Sequence, residues 1–362
     1  MYLKPRKLDV YIFKKFILSF FIALLLIIFI VIIFDVSEKI DDFVHSHAPL
    51  KAIIFDYYVN FIPYFMNMFS PLFVFITVIF FTSRMAANSE IIAILSGGVS
   101  YHRMMVPYMV AAALIALLSL VLNLFVIPNA NVTRLEFENE YVSAQSAYNR
   151  NVHYQISPGT FVYVESFSTW NNTAYKFTLE DIKDNELVSK ISADTAVWDS
   201  LSGSWKLKNY FIRDFTGGLA DHVRTGAQMD TIIPLTVEDF YRNQETVETL
   251  PYKALNELID TQRMRGDATV MYALIEKHTR FALPFSAFIL TIMGVSLSSR
   301  KKRGGTGWNI ALGIGLAFSY ILFLKFSQMF VYTGLMKPGL ALWIPNILFA
   351  VITAFLYRMA PK

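Results

Sequence analysis

The chain has 362 residues and a formal net charge of +4, and it is 55% hydrophobic but only 17% charged. Soluble domains run at roughly 45–50% apolar and about 25% charged, so an ordinary water-soluble globule is excluded, and the lack of any cysteine excludes a disulfide-braced one. The net charge itself says little; where the charges sit says more, and no nucleic-acid partner is expected.

In chain order, the first apolar run is Phe16 to Phe34, long enough at 1.5 Å per residue to cross about one hydrocarbon thickness. Lys4, Arg6, Lys7, Lys14 and Lys15 precede it and Asp35 ends it. It is too long for a signal-peptide core and has no small-residue cleavage site, so a retained anchor is expected. Further spans are expected at about Phe61–Ser83, Val106–Ile127, Phe281–Ser299, Trp308–Phe330 and Leu340–Tyr357. With the N-terminus inside, Lys and Arg in the inside segments outnumber those in the short outside loops by thirteen to three. The bias predicts cytoplasmic termini and an outside location for residues about 128–280. In the second span Pro63 and Pro71 free backbone carbonyls, and Asn60, Asn67 and Ser70 form a polar stripe that reads first as contact between helices. The fifth span carries two small-residue stripes, Ala311-Gly315-Ser319 and Asn309-Gly313-Ala317, fit for a close helix contact or a moving gate.

Between the third and fourth spans the pattern changes. Residues 130–147 continue as a polar helix. Trp205-Lys206-Leu207-Lys208 alternates as a half-buried strand does, and Gly159–Ser166 reads as another, with Phe161 and Tyr163 on one face. Ser202-Gly203 and Gly217-Gly218 are turn signals. An antiparallel sandwich or partly open barrel is expected, followed by an amphipathic helix at 250–263 with Pro251 near its start and Leu255, Leu258 and Ile259 on one face. The organisation predicted is thus a membrane α-helical fold with an inserted all-β domain: spans one to three in 1–129, the β domain in 130–249, and a linker helix with spans four to six in 250–362.

No G-x-x-x-x-G-K-[ST] loop, H-E-x-x-H motif or nucleophile elbow is present. His45 and His47 lack a third ligand and read as loop histidines. No enzyme, metal or cofactor is expected in this chain. The informative segment is the inside loop Arg84–Ser100. Ser89 or Asn88 is placed to cap a short helix over about 88–97, and Glu90 sits in its first turn, where a carboxylate is favoured. Ile91, Ile94 and Leu95 make an apolar stripe, and Gly97-Gly98 ends it. Such a helix either rests on lipid headgroups, for which it has few basic residues, or docks into a groove on a cytoplasmic protein.

These features, in this order, resemble the LptF/LptG (YjgP/YjgQ) permease family over essentially the whole chain. The resemblance rests on the 3+3 layout, Pro63 and Pro71, Ser89-Glu90 through Gly97, the run Glu276-Lys277-His278-Thr279-Arg280-Phe281-Ala282-Leu283-Pro284, the loop Ser298–Gly305 and the glycine-rich start of the fifth span. It implies a lipopolysaccharide-export permease whose insert is a periplasmic β-jellyroll. It implies two such permeases on two copies of an LptB-like ATPase, which would hold the ATP and Mg. Glu90, with Ser89, Ile91, Ile94, Leu95 and Gly97, would be the coupling helix. Lipid would enter between the permeases, past gates formed by first and fifth spans, and leave through the jellyrolls to LptC- and LptA-like proteins.

Lys39 and Lys325 are candidates for lipid phosphate, since intramembrane charge marks function by default; Lys325 alternatively snorkels, and Asp35, Glu38, Asp41 and Asp42 crowd Lys39. The family run singles out His278 and Arg280, which interfacial anchoring explains equally. Arg300 to Arg303 read as a contact with anionic lipid at the inside surface. A mechanical relay that moves no lipid is the main alternative. A secondary transporter ranks below it, with neither an inverted repeat nor a midplane carboxylate visible.

Overall fold

The computed structural model describes residues 7–142, 148–168, 170–200, 202–215, 222–241, 244–267, 269–299 and 305–360. The expected Gly217-Gly218 turn and the Arg300–Arg303 loop lie outside these. The chain divides into a helical unit, Met1–Ser143 with Leu274–Lys362, and a sheet unit, Ala144–Ala273.

Six helices of the described chain are long and apolar enough to cross a membrane, as expected. Helix α1 (Lys7–His45) runs well beyond its apolar stretch at both ends. Hydropathy marks only where lipid is; the backbone stays helical wherever its polar side chains find partners. A short α2 (Leu50–Ala52) and a π-helical turn (Ile53–Tyr58) lead into α3 (Val59–Ala87), then α4 (Glu90–Ser96) and α5 (Tyr101–Val121). A second π-helical turn (Leu122–Val126) joins α5 to α6 (Ile127–Tyr141). Pro63 and Pro71 lie inside α3. The amide of Asn60 donates to the carbonyls of Phe55 and Asp56 in the first π turn, at 3.0 and 2.9 Å. Asn67 and Ser70 are buried, and the Asn67 amide donates to Asn123 at 2.8 Å while its oxygen accepts from Ser119 at 2.6 Å. Of the polar stripe, Asn67 thus makes the interhelical contact, while Asn60 bonds to its own helical segment.

The sheet unit holds one six-stranded antiparallel sheet: β1 (Tyr148–Ser157), β2 (Thr160–Ser168), β3 (Thr173–Lys183), β4 (Glu186–Asp199), β5 (Ser204–Asp214) and β6 (His222–Thr231), each paired with its sequence neighbour. The all-β insert is as expected. Its order is a meander, and none of the crossover connections of a jelly roll occurs among the described residues. Trp205 and Leu207 are buried while Lys208 is exposed, so that strand faces as its alternation indicated. In β2, Phe161 and Tyr163 share a face as expected, and that face is the outer one. Val162 and Val164 enter the core, and Phe161 looks outward. After β6 come α7 (Val237–Tyr241), α8 (Gln244–Glu248) and α9 (Tyr252–Met264). Phe240 stacks on Phe167 at 4.2 Å, and the Trp205 indole donates to Leu235 O at 2.8 Å, which closes the core from this side.

The helical unit then continues with α10 (Val270–Ser298), α11 (Gly305–Tyr332), α12 (Pro338–Ala341) and α13 (Ile344–Met359). Gly294 of α10 and Gly313 of α11 both meet α3. A Cβ on Gly294 would lie 2.9 Å from Val78, and one on Gly313 2.4 Å from Ile79. Gly313 and the buried Ala317 are therefore the closed stripe of α11, whereas Ala311 and Gly315 face outward.

Candidate functional site

Helix α4 is built as a rigid knob. It leaves α3 through Ser89, which has a left-handed backbone (φ 60°) and makes no side-chain cap; the expected capping hydrogen bond is absent. Asn88 instead donates to Glu90 Oε1 at 3.4 Å. The far end closes as a Schellman motif: Gly98 N–H bonds Leu95 O at 3.0 Å and Val99 N–H bonds Ile94 O at 3.3 Å. The left-handed residue there is Gly98 (φ 83°), while Gly97 keeps a right-handed backbone.

The apolar stripe of α4 faces its own chain. Ile91 is 1% exposed and joins the core of Ile12, Phe16, Met85 and Tyr101, with Ile94 and Leu95 packed partly against it. These residues anchor the knob. Its open face carries Ile92, 52% exposed, with Ala93 and Ser96. Glu90 borders that face and is held from a distant helix: the Tyr11 hydroxyl donates to Glu90 Oε2 at 2.9 Å, and Lys15 donates to Tyr11 in turn. Two residues away in α1, Asp9 forms a bidentate pair with Arg103 at the start of α5, at 2.8 and 2.6 Å. Next to Arg103, Tyr101 packs on Tyr357 of α13 and His102 lies 3.3 Å from its hydroxyl.

At the opposite end of α1, Lys39 is caged. Its ammonium pairs with Asp35 at 3.3 Å and with Glu138 of α6 at 3.1 Å, donates to Tyr57, and sits 4.6 Å from that ring. Tyr57 and Tyr58 both donate to Asp35, at 3.2 and 3.0 Å. Among the described residues no cluster of three His, Asp or Glu is placed to hold a metal. Lys325 has different surroundings: it is exposed on α11 beside Leu322, Phe326 and Met329. Arg280 is 1% exposed, with Nε bonded to Glu276 at 2.6 Å and both Nη atoms buried without a partner among the described residues. His278 is half-buried against Gly339. The four lipid-contact candidates from sequence thus have distinct environments, and Arg280 is withdrawn into the bundle of its own chain.

A family model described as the lipopolysaccharide export system permease LptF/LptG matches residues 10–359. The chain belongs to the LptF/LptG family. Comparison with curated proteins gives no match. As an LptF/LptG permease it is a multi-pass inner-membrane protein of the lipopolysaccharide export system. Within this LptF/LptG chain, sequence reasoning located the knob but missed Asp9, Tyr11, Ile92 and Glu138. Asp9 did carry a signal, as the single acid among the first 34 residues. An acid placed between basic residues at the start of a span asks for a partner.

Proposed function

We propose that this permease is one half of an ATP-driven exporter that takes lipopolysaccharide from the outer leaflet of the inner membrane and passes it to a periplasmic bridge. In this reading the Glu90 end is cytoplasmic, and α4 enters a groove on an LptB-like ATPase, where ATP and Mg are held. Residues about 128–280 face the periplasm, and the sheet unit hands lipid to LptC- and LptA-like proteins. A second LptF/LptG-like permease completes the cavity. The exposed faces of α1 (Leu18, Leu25, Phe29) and of α11 (Gly315, Phe318, Phe326) supply apolar surface for that pairing.

The observation that carries the reading is the make-up of α4. It is a short helix fixed from below by Ile91 and by its Schellman end, and it offers Ile92 and one oriented carboxylate outward. A lipid-resting helix needs basic residues around an apolar face; here the main apolar stripe is already covered by protein. The test is Glu90→Lys and Ile92→Asp. Each is expected to reduce ATPase co-purification at least tenfold with the permease itself still folded. Undiminished co-purification and ATP hydrolysis in both would sink the docking of α4. Depletion of the chain with assay of surface lipopolysaccharide separates lipid export from a relay that moves no lipid.

A further inference from the structure

Helix α1 differs from the other five spans in sequence. Its 39 residues contain neither glycine nor proline, whereas α3, α5, α10 and α11 each contain at least one and the sixth span begins with Pro338-Gly339 and Pro345. With no site for a kink, it behaves as one rod about 58 Å long. It is also the least enclosed span: 17% of its apolar window is buried, against 61% for the second and 67% for the fourth. Its buried side chains fall in two groups, Ile12, Phe16, Phe20 and Leu24 in its first half and Phe43 near its end, with Val31, Ile32 and Val36 partly buried against the cluster of Phe43. Polar fastening is likewise confined to the ends. Asp9 and Tyr11 hold one end to Arg103 and Glu90. Asp35 and Lys39 hold the other to Tyr57, Tyr58 and Glu138. The thirty residue steps from Asp9 to Lys39 rise about 45 Å, close to a bilayer with its headgroup regions.

We propose that α1 is a push-rod whose joint to the ATPase-docking helix is the Asp9–Arg103 pair together with the Tyr11–Glu90 hydrogen bond, so that Asp9, Tyr11 and Arg103 are positioning residues for transport. The proposal rests on the reading that α4 docks on the ATPase. A displacement of α4 reaches α1 directly through Glu90 and Tyr11. It also reaches α1 through the start of α5, because Arg103 grips Asp9 by both nitrogens and cannot slide or rotate against it. A stiff rod loses none of that displacement to bending. It delivers it at the Lys39 cage to Glu138 on α6, whose end at Tyr141 lies seven residues before β1 in sequence. The stroke therefore arrives on the segment that leads into the sheet unit. What permits α1 to move is its open side, where Leu18, Leu25, Phe29 and Ile33 are exposed, since a helix enclosed on every side would have to drag its neighbours.

The test uses the full exporter complex in proteoliposomes with Asp9→Asn, Tyr11→Phe and the charge exchange Asp9→Arg with Arg103→Asp. Three quantities are read: ATPase retained on the permease, ATP hydrolysed, and lipopolysaccharide released per ATP. Asp9→Asn is expected to keep the first two within twofold and to lower the third about tenfold. The charge exchange restores it to within threefold, which a merely weakened fold would not allow. Tyr11→Phe, which removes one hydroxyl, gives a smaller loss in the same direction and stands in should Asp9→Asn fold poorly. The chain has no native cysteine, so spin labels at Leu26→Cys and Phe80→Cys report α1 against α3. ATP binding shifts that distance in the otherwise native complex and leaves it unshifted with Asp9→Asn. Unchanged lipid per ATP in Asp9→Asn and Tyr11→Phe, or a distance shift that is absent in the native complex or equal with and without Asp9→Asn, overturns the joint. Failure of Glu90→Lys to release the ATPase overturns the docking reading instead.

Discussion

Lys39 and Lys325 bring the same charge to different surroundings, and the difference sets what each removal does. Lys39 neutralises Asp35 and Glu138 in a half-buried cage. Lys39→Ala leaves two carboxylates short of their cation, at a cost of about 1–3 kcal/mol. Lys325 is exposed, and Lys325→Ala is expected to change stability by no more than about 0.5 kcal/mol. Unfolding of the purified permease in detergent separates them, and equal midpoints would contradict the cage. The two glycines after α4 also differ. Gly98→Ala forces an L residue into the left-handed region, at about 1–2 kcal/mol. Gly97→Ala places a methyl 3.2 Å from Ala93 O on an ordinary backbone, a milder strain. Proteolysis of the Arg84–Ser100 loop is expected to quicken more for Gly98→Ala. The choice of Gly97 over Gly98 could not be made from sequence, because adjacent glycines do not disclose which of them carries the positive φ. The stripe Ile91-Ile94-Leu95 was legible as a stripe. Its direction was not: period 3.6 says which residues share a face, and only packing against Ile12 and Phe16 says where the face looks. Phe161 and Val162 repeat the lesson at period 2.

At the scale of elements, lipid makes the spans legible, because crossing hydrocarbon demands a length and composition that few other structures require. The π turns at Ile53–Tyr58 and Leu122–Val126 leave no such mark; they shift hydrogen bonding by one residue with no special composition. Pairings such as Asp9 with Arg103 and Lys39 with Glu138 span 94 and 99 residues. A single sequence gives each partner but not the pair. The two small-residue faces of the bundle show how structure decides between readings that sequence leaves equal. Gly294 is closed by Val78 and Phe75, whereas among the described residues nothing beyond its own helix backbone lies within 4 Å of a Cβ on Gly315. Gly294→Leu is expected to destabilise the permease by about 1–3 kcal/mol through overpacking. Gly315→Leu should leave its unfolding unchanged and weaken recovery of the second permease. If Gly315→Leu instead lowers the melting midpoint as much as Gly294→Leu, the open stripe is not open.

The two units of the whole molecule rely on different forces, and pH separates them. The membrane unit presents apolar spans whose burial does not titrate. The sheet unit ties its strands at the surface with Lys176–Asp194, Lys190–Glu180, Lys206–Asp199 and Arg224–Asp214. Lys176, and then Asn209, hold the Asp194 carboxyl below its usual range. The Ser189 hydroxyl, and less strongly Arg224, does the same for Asp214 against the opposing effect of burial. A carboxyl whose pKa is lower folded than unfolded binds fewer protons in the native state, so stability rises with pH between the two values. Its contribution is complete above the unfolded value of about 3.9 and vanishes as pH falls through the native one. Each exposed pair contributes little on its own, so the effect is expected as a graded loss rather than a collapse. Hydrogen-exchange protection, corrected for intrinsic rates and resolved by peptide, should fall in β3–β5 as the full-length permease is taken below about pH 4. The apolar stretch of α1 (Phe16–Phe34) and α11 should hold their protection, because the carboxylates that fasten α1, Asp9 and Asp35, lie outside that stretch. Asp194→Asn with Asp214→Asn should start slightly lower at neutral pH and show a shallower decline, meeting the native chain in acid. A decline of the same depth in the double variant would place the acid sensitivity elsewhere in the sheet.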